Sequence, residues 1–377
     1  MSASFKTINA FFSHLITELG EKREVHCVAV AHMVPNTLHF ALALNRLVTL
    51  SAIFAKPKSV GRPEFSELSE TFSMPPLSRD WASDKDAVVQ ELYKLGLKNK
   101  DVVIVDIGGY FSKSIDEVSK AFEGNILGLL EGTENGVIKY EENAPYNTPI
   151  VTVARSPLKL PEDHLVASGV VFSIEAVLRE QAEILQTRTA AVVGYGRVGR
   201  SIAGILRGRG INTVVYDNDP VKLAEAAARG FQANVSLRDA VSHASLVVCA
   251  TGNKALKLNG FGMLQSGCVV ASVTSADDEL DLHSLIDGYD RTPMGNLTKY
   301  EENNGSGRHF FLVADGNAAN FLHGAVIGPA IQLIEGEKLK AIKALIDRRV
   351  ESGGKKLFEL PVEDRREVAK IWIEHFL

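Results

Sequence analysis

Cysteine is scarce in this 377-residue chain, and its placement excludes more than its number does. Cys27, Cys249 and Cys268 are odd in number, far apart and set in apolar, strand-like runs. That pattern excludes a disulfide framework and a clustered metal site, and it suits buried thiols in a reducing compartment. No metal is expected. Charge of one sign is not in surplus either: 41 basic against 46 acidic residues leave a net charge of −5 and a pI near 6.1. There is no electrostatic reason to expect nucleic acid or an anionic membrane as partner. No apolar run reaches the length of a membrane span. The opening stretch MSASFKTINAFFSHL lacks the basic start and continuous apolar core of a signal peptide. Low-complexity tracts and internal repeats are missing too. These absences predict a soluble cytoplasmic protein, with length enough for two domains.

What is present centres on residues 191–220. The apolar run Ala191-Val192-Val193 leads into Gly194-Tyr195-Gly196-Arg197-Val198-Gly199. A helical pattern (Ile202, Ile205, Leu206) follows and stops at Gly210, and a second strand, Thr213 to Tyr216, ends at Asp217. Strand, turn, helix, strand and acid fall in the order that a dinucleotide site requires. The first glycine permits the tight turn, the second lets the backbone approach a pyrophosphate, and the third lets helix pack on strand. The helix N-terminus faces the phosphate charge. Asp217 is placed to accept hydrogen bonds from an adenosine ribose and would repel a 2′-phosphate, so the expected cofactor is NAD rather than NADP.

Around this motif the chain alternates strands and helices, which predicts an α/β fold. Helices are expected over 5–20, 37–50, 85–95 and 113–122, and strands over 25–34, 52–54, 101–106 and 149–153. Residues 56–82 read as irregular and the stretch after 122 as a polar loop. A helix over 166–185 leads into the motif. Further strands are expected over 245–249, 268–273 and 310–313, with 284–309 a hairpin or loop, and helices over 324–347 and 363–376. The expected architecture is a substrate domain over 1–165, rejoined by about 324–347, and a central Rossmann NAD-binding domain over 166–323. Residues 348–377 form a C-terminal segment, and the substrate is expected in a cleft between the domains.

Several stretches together resemble the S-adenosylhomocysteine hydrolase family. They are Ala31-His32-Met33, Glu131 to Val137, Ser156 to Asp163, Gly194 to Gly199, Asp219-Pro220, Thr251-Gly252-Asn253, Asp277 to Asp281, and Ala314-Asp315-Gly316 with Asn320. The tail LFELPVEDRREVAKIWIEHF is similar to the family's closing segment. The resemblance implies a held NAD that oxidises a ribose 3′-hydroxyl to a ketone. The acidified neighbouring C–H is then deprotonated, the 5′ substituent eliminated, water added and the hydride returned. It implies Lys159 beside the oxidised hydroxyl, Asp163 orienting the sugar, and His32 near the leaving group. It also implies that Thr133, Asn135 and Asn320 join Arg197, Val198, the three motif glycines and Thr251-Gly252-Asn253 in holding the cofactor, in a homo-oligomer (dimer or tetramer). By residue type alone a Lys-x-x-x-Asp pair is usually a solvated surface pair, and a lone histidine at a strand end is more often structural.

The departures from the family cluster. Val34 and Asn36 stand where the family has a threonine and a glutamate that read adenine, and Ile327 where it has a histidine. The aspartate opposite the family's catalytic histidine falls at Ile107, next to Asp106. A family glutamate becomes Gly132, the histidine near the nicotinamide becomes Ser275, and the family's extended tail has no counterpart. The expectation is an adenosylhomocysteinase-like, NAD-dependent hydrolase or oxidoreductase that oxidises a secondary alcohol of a nucleoside, sugar or small polyol. The alternatives are true adenosylhomocysteine hydrolysis and, from another class, a non-catalytic NAD-binding sensor, for which Lys159 and Asp163 would have no use.

Overall fold

The computed structural model describes residues 5–20, 22–274, 276–354 and 356–377. They divide into two compact units, Met1–Lys159 with Gly328–Leu377, and Leu160–Ile327. Among the described residues no helix is long and apolar enough to cross a membrane.

The first unit is built on five strands, β1 (His26–Ala31), β2 (Thr49–Ala55), β3 (Asp101–Asp106), β4 (Asn125–Glu131) and β5 (Ile150–Thr152). They lie in the order β5-β4-β3-β1-β2, with the short strand Phe358–Glu359 beside β5. Every pairing is parallel. Strands buried on both faces read as unbroken apolar runs, and alternate residues supply the two faces. Cys27, Ala29, Val103 and Val105 join Phe11, Leu15, Ile342 and Val368 on one side. Val28, Val30, Val102 and Ile104 join Val88, Leu92 and Val118 on the other.

Strand β4 and the helix Glu134–Asn143 stand where the sequence suggests a polar loop. The misleading residue is Gly128, inside the strand with φ +154°, where a Cβ would come 2.5 Å from Cδ2 of Leu345. The glycine is there because the helix Ile331–Ile346 presses on the strand. That helix is also crossed closely at Gly336, where a Cβ would meet Val368 at 2.9 Å and Phe11 at 3.0 Å. Residues 56–82 are less irregular than expected and hold the short helices Pro63–Ser69 and Arg79–Ser83. Residues 348–377 lie in this unit, through the helix Val362–Phe376, whose Val368 and Ile371 join its core.

The second unit contains β6 (Thr189–Val193), β7 (Asn212–Tyr216), β8 (Gln232–Asn234), β9 (Leu246–Cys249), β10 (Cys268–Ser272), β11 (Tyr289–Met294), β12 (Leu297–Glu302) and β13 (His309–Val313). The order is β11-β12-β13-β10-β9-β6-β7-β8. The six strands from β13 to β8 run parallel in the doubly wound dinucleotide-binding order. The antiparallel hairpin β11–β12 extends the β13 edge, so the stretch left open as hairpin or loop is a hairpin. The long helix that leads into this unit spans Leu160–Glu180 and starts six residues earlier than expected. Pro161 lies in its first turn, where a missing N–H costs nothing.

Candidate functional site

The turn after β6 uses its glycines in two ways. Gly194 has φ +99°, and a Cβ on it would stand 2.6 Å from the carbonyl oxygen of Ala250, just past β9. On Gly199, in the first turn of the helix Arg197–Gly208, a Cβ would stand 1.9 Å from the carbonyl oxygen of Gly194. Both glycines are therefore fixed by close packing, and Val198 packs against the core under the helix. Gly196 differs: a Cβ there would meet nothing within 4 Å. Its open face lies at the start of the helix, where unpaired N–H groups and the helix dipole favour a phosphate.

Asp217, just after β7, is buried. Its carboxylate accepts from the backbone N–H of Tyr195 at 2.6 Å and of Asp219 at 2.9 Å. The acid thus braces the glycine turn and the entry to the helix Pro220–Ala228. A carboxylate has about four acceptor positions, so two contacts leave capacity for ribose hydroxyls.

The loop Thr251-Gly252-Asn253 follows β9 and is organised by a residue that sequence reasoning missed. Glu279 is fully buried. One carboxylate oxygen accepts from the N–H (2.7 Å) and the hydroxyl (2.8 Å) of Thr251. The other accepts from the N–H of Gly252 (2.6 Å) and the hydroxyl of Thr274 (2.8 Å). The Thr251 hydroxyl also accepts from the N–H of Asn253 at 3.0 Å.

Two further expected residues lie in this unit. Asp163, in the first turn of Leu160–Glu180, is buried and lies 3.8 Å from the guanidinium of Arg197, inside the glycine motif. Asn320 is buried in the turn Ala319–His323, and its side-chain oxygen has no hydrogen-bond partner among the described residues. It lines a cavity of ≈ 360 Å³ with Gly169, Phe172, His323 and Ile327. An open glycine face and an orphaned buried acceptor are the features a bound dinucleotide would complete, so these residues fit NAD.

In the first unit, His32 follows β1, and its backbone oxygen accepts from the Thr37 hydroxyl at 2.7 Å. Burial and the charges of Lys56, Arg62 and Lys338 hold its imidazole well below the usual histidine range, so it is neutral at pH 7. Asp106 ends β3 fully buried, accepting from the Phe111 N–H (3.1 Å) and the Tyr140 hydroxyl (2.8 Å). Glu131 ends β4, also fully buried. It accepts from the N–H groups of Gly108 (3.1 Å), Gly109 (2.9 Å) and Thr133 (2.7 Å) and from the Thr133 hydroxyl (2.7 Å). Burial and the neighbouring Asp106 charge push Glu131 up to about 8, and burial raises Asp106 as well. Thr133 caps the helix Glu134–Asn143 by accepting from the Gly136 N–H at 3.2 Å. Asn135 is half-buried in that helix's first turn, and half-buried Lys159 closes the turn Pro157–Lys159.

Among solved structures, the pyruvate reductase of Chlamydomonas reinhardtii superposes with a TM-score of 0.42 at 16% identity, over 70% of this chain and 73% of that one. The adenosylhomocysteinase of Thermoplasma volcanium is 27% identical over 372 residues, 95% of this chain and 88% of that protein. That of Pyrococcus abyssi is 28% identical over 323 residues, 82% of this chain and 74% of that protein. A family model described as S-adenosyl-L-homocysteine hydrolase, NAD binding domain, matches residues 170–325. The chain is similar to the S-adenosylhomocysteine hydrolase family, and its residues 170–325 match that family's NAD-binding domain.

The stretch matched by the NAD-binding model contains the glycine turn, Asp217, the Thr251 loop and Asn320, and the cofactor is NAD. The positions at which the chain departs from the family are put to other uses. Asn36 donates from its side-chain amide to Glu335 at 2.7 Å. Ile107 is buried among Tyr110 and Phe111, while the adjacent Asp106 is committed to Tyr140 and Phe111. Gly132 faces Ile107 and Lys338, where a Cβ would lie 3.2 Å and 3.3 Å from their side chains. Ser275 lies outside the described residues.

Proposed function

We propose that this chain, similar to the S-adenosylhomocysteine hydrolase family, is an NAD-dependent enzyme that oxidises a secondary alcohol of a nucleoside, a sugar or a small polyol. In this reading elimination, addition and re-reduction are open to the ketone so formed. The observation that supports the reading is the buried Asp163, whose carboxylate lies 3.8 Å from the guanidinium of Arg197 in the glycine motif.

Bound NAD supplies a hydride acceptor that can return what it takes. Gly194, Gly196 and Gly199 would hold its pyrophosphate, Asp217 its adenosine ribose, and the Thr251 loop with Asn320 its nicotinamide half. Lys159 would take the proton from the alcohol oxygen, Asp163 would orient the sugar hydroxyls, and Thr133 and Asn135 would complete the site. His32, neutral at pH 7, could accept or relay a proton near the leaving group. In this reading the protein works as a homo-oligomer, dimer or tetramer, and sedimentation equilibrium returning a monomer would remove that part.

The test is spectroscopic. Candidate nucleosides, sugars and polyols are added to the NAD-loaded protein, and the absorbance of reduced nicotinamide is followed. Reduction by a secondary alcohol is expected; unchanged absorbance with every candidate would favour a sensor instead. The names of the relatives favour a second reading, hydrolysis of adenosylhomocysteine itself. We expect that compound to react poorly, because Val34, Asn36 and Ile327 cannot supply polar partners to adenine at about 1–3 kcal/mol each. Brisk hydrolysis would make the second reading the right one.

A further inference from the structure

The turn Pro157–Lys159 is anchored through the residue before it, Ser156, which is fully buried. The Ser156 N–H donates to the carbonyl of Val153 at 3.1 Å, and its own carbonyl accepts from the N–H of Lys159 at 3.2 Å. Its hydroxyl oxygen accepts from the N–H of Leu158 at 3.1 Å. A serine hydroxyl has one proton to donate, and here it goes to the carboxylate of Glu337. Pro157 fixes a backbone dihedral between these contacts. The backbone of Lys159 is therefore set by Ser156, and the hydroxyl of Ser156 is set by Glu337.

Glu337 belongs to the helix Ile331–Ile346, which packs on the turn. It is fully buried and accepts from the guanidinium of Arg365 at 2.9 Å, and the same guanidinium donates to Glu359 at 2.8 Å. Arg365 comes from the closing helix Val362–Phe376, and Glu359 from the short strand beside β5, opposite Thr152. Burial works against the charge on Glu337, while Ser156 and Arg365 work for it. A buried ion pair returns little stability over an apolar pair of the same volume, because desolvation consumes the attraction. Apolar contact already joins turn and helix, since Leu158 packs against the core to which Ile334, Leu339 and Ile342 belong. What the carboxylate adds is direction, a fixed acceptor for one hydroxyl three residues before Lys159.

We infer that Glu337 and Ser156 are positioning residues for Lys159, and that the hydrogen bond between them fixes the turn from which that lysine works. The inference rests on the alcohol-oxidation reading, in which Lys159 is the base, and deepens it.

The test compares the NAD-saturated wild type with Ser156→Ala and Glu337→Asp. Aspartate keeps a carboxylate for Arg365 but draws it back from Ser156 by one methylene, so no buried cation is left unpaired. Hydrogen exchange of the peptide containing Leu158 and Lys159 should quicken by about 10- to 100-fold in each variant, the loss of one hydrogen bond to a charged group. Hydride transfer is followed with adenosine and ribose as probe alcohols. Its rate at saturation should fall by about 10- to 100-fold, since small misplacements near the reacting atoms cost that much. The KM for the probe and the NAD dissociation constant should each move less than about twofold, whereas general damage to the fold would move all three. Unchanged exchange at the turn, or quickened exchange with an unchanged rate at saturation, would overturn the positioning role. Lys159→Ala separates that failure from failure of the underlying reading. Transfer lost in Lys159→Ala but intact in the other two variants removes the positioning and keeps the base. Transfer intact in Lys159→Ala, or no reduction by either probe, removes the base, and the positioning role falls with it whatever the exchange shows.

Discussion

Replacing Glu279 with glutamine should loosen the Thr251-Gly252-Asn253 loop more than any single change on its surface. The carboxylate is fully buried and accepts four hydrogen bonds, two from the amides of Thr251 and Gly252 and two from hydroxyls. Glutamine keeps one acceptor oxygen and turns an N–H₂ group toward donors that need an acceptor. The threonine hydroxyls can rotate, but a backbone N–H cannot, so one amide is left facing a donor. A hydrogen bond to a charged group contributes about 1.5–3 kcal/mol, and that is the expected cost of the variant. Glu279→Ala removes the acceptor for both amides and should cost about twice as much. Because two units can unfold separately, a single denaturation midpoint is a poor gauge. Hydrogen exchange of the peptide spanning Thr251 and Gly252 reads the site directly. Exchange there should quicken by roughly 10- to 100-fold in the glutamine variant, with NAD affinity falling in parallel because Gly194 packs on Ala250. Unchanged exchange at that peptide, with the variant folded, would refute the assignment of Glu279 as the clasp of this loop.

Asp217→Ala should weaken NAD and relieve discrimination against NADP, read as the ratio of the two dissociation constants; a wild type that binds both equally would contradict the role of this acid. Lys159→Ala should slow reduction of the bound cofactor by about 10²–10⁴-fold with NAD affinity nearly unchanged, since general-base assistance is of that size; unimpaired hydride transfer with a true substrate would show that the lysine does something else. Glu131, raised to about 8 from 4.5, holds its proton more tightly folded than unfolded. Its stabilising contribution is therefore complete below about pH 4.5 and is lost as the pH rises through 8, at no more than about 1.4 kcal/mol per pH unit. Urea dependence of hydrogen exchange in the peptide spanning Gly108 and Gly109, whose N–H groups donate to Glu131, should show the slope in the wild type and a flatter profile in Glu131→Gln across this range; equal profiles would remove Glu131 as its origin.

The strand, glycine turn and helix of the second unit were legible because their signal is local. Turn, helix, second strand and Asp217 lie within one short stretch, and each glycine has a backbone reason to be a glycine. Glu279 and Glu131 were not legible as organising residues. Their partners are mostly backbone N–H groups, which leave no side-chain signature, and for Glu279 they come from residues 251, 252 and 274. Glu279 stands in the acidic stretch Ala276-Asp277-Asp278-Glu279, which reads as solvated surface. Glu131 did carry a signal, an acid closing the apolar run Ile126 to Leu130. That run went unread because Gly128 interrupts it, and the glycine answers to Leu345, more than two hundred residues away. Pro161 misled in the opposite direction, since it looks like a breaker and is a helix-starting residue.

The close fit of Leu345 over Gly128, and of Phe11 and Val368 over Gly336, bears on how the chain is made. A ribosome delivers residues 1–159 before the rest of their unit, with one face of their sheet still lacking the helices Ile331–Ile346 and Val362–Phe376. The intervening 160–327 unit has its full set of strands and helices before those closing helices emerge. A later segment therefore seals an earlier one. Until it does, Phe11, Leu15, Val103 and Val105 are bare, which is the state in which chaperones would recognise this chain and in which a C-terminal truncation would leave it.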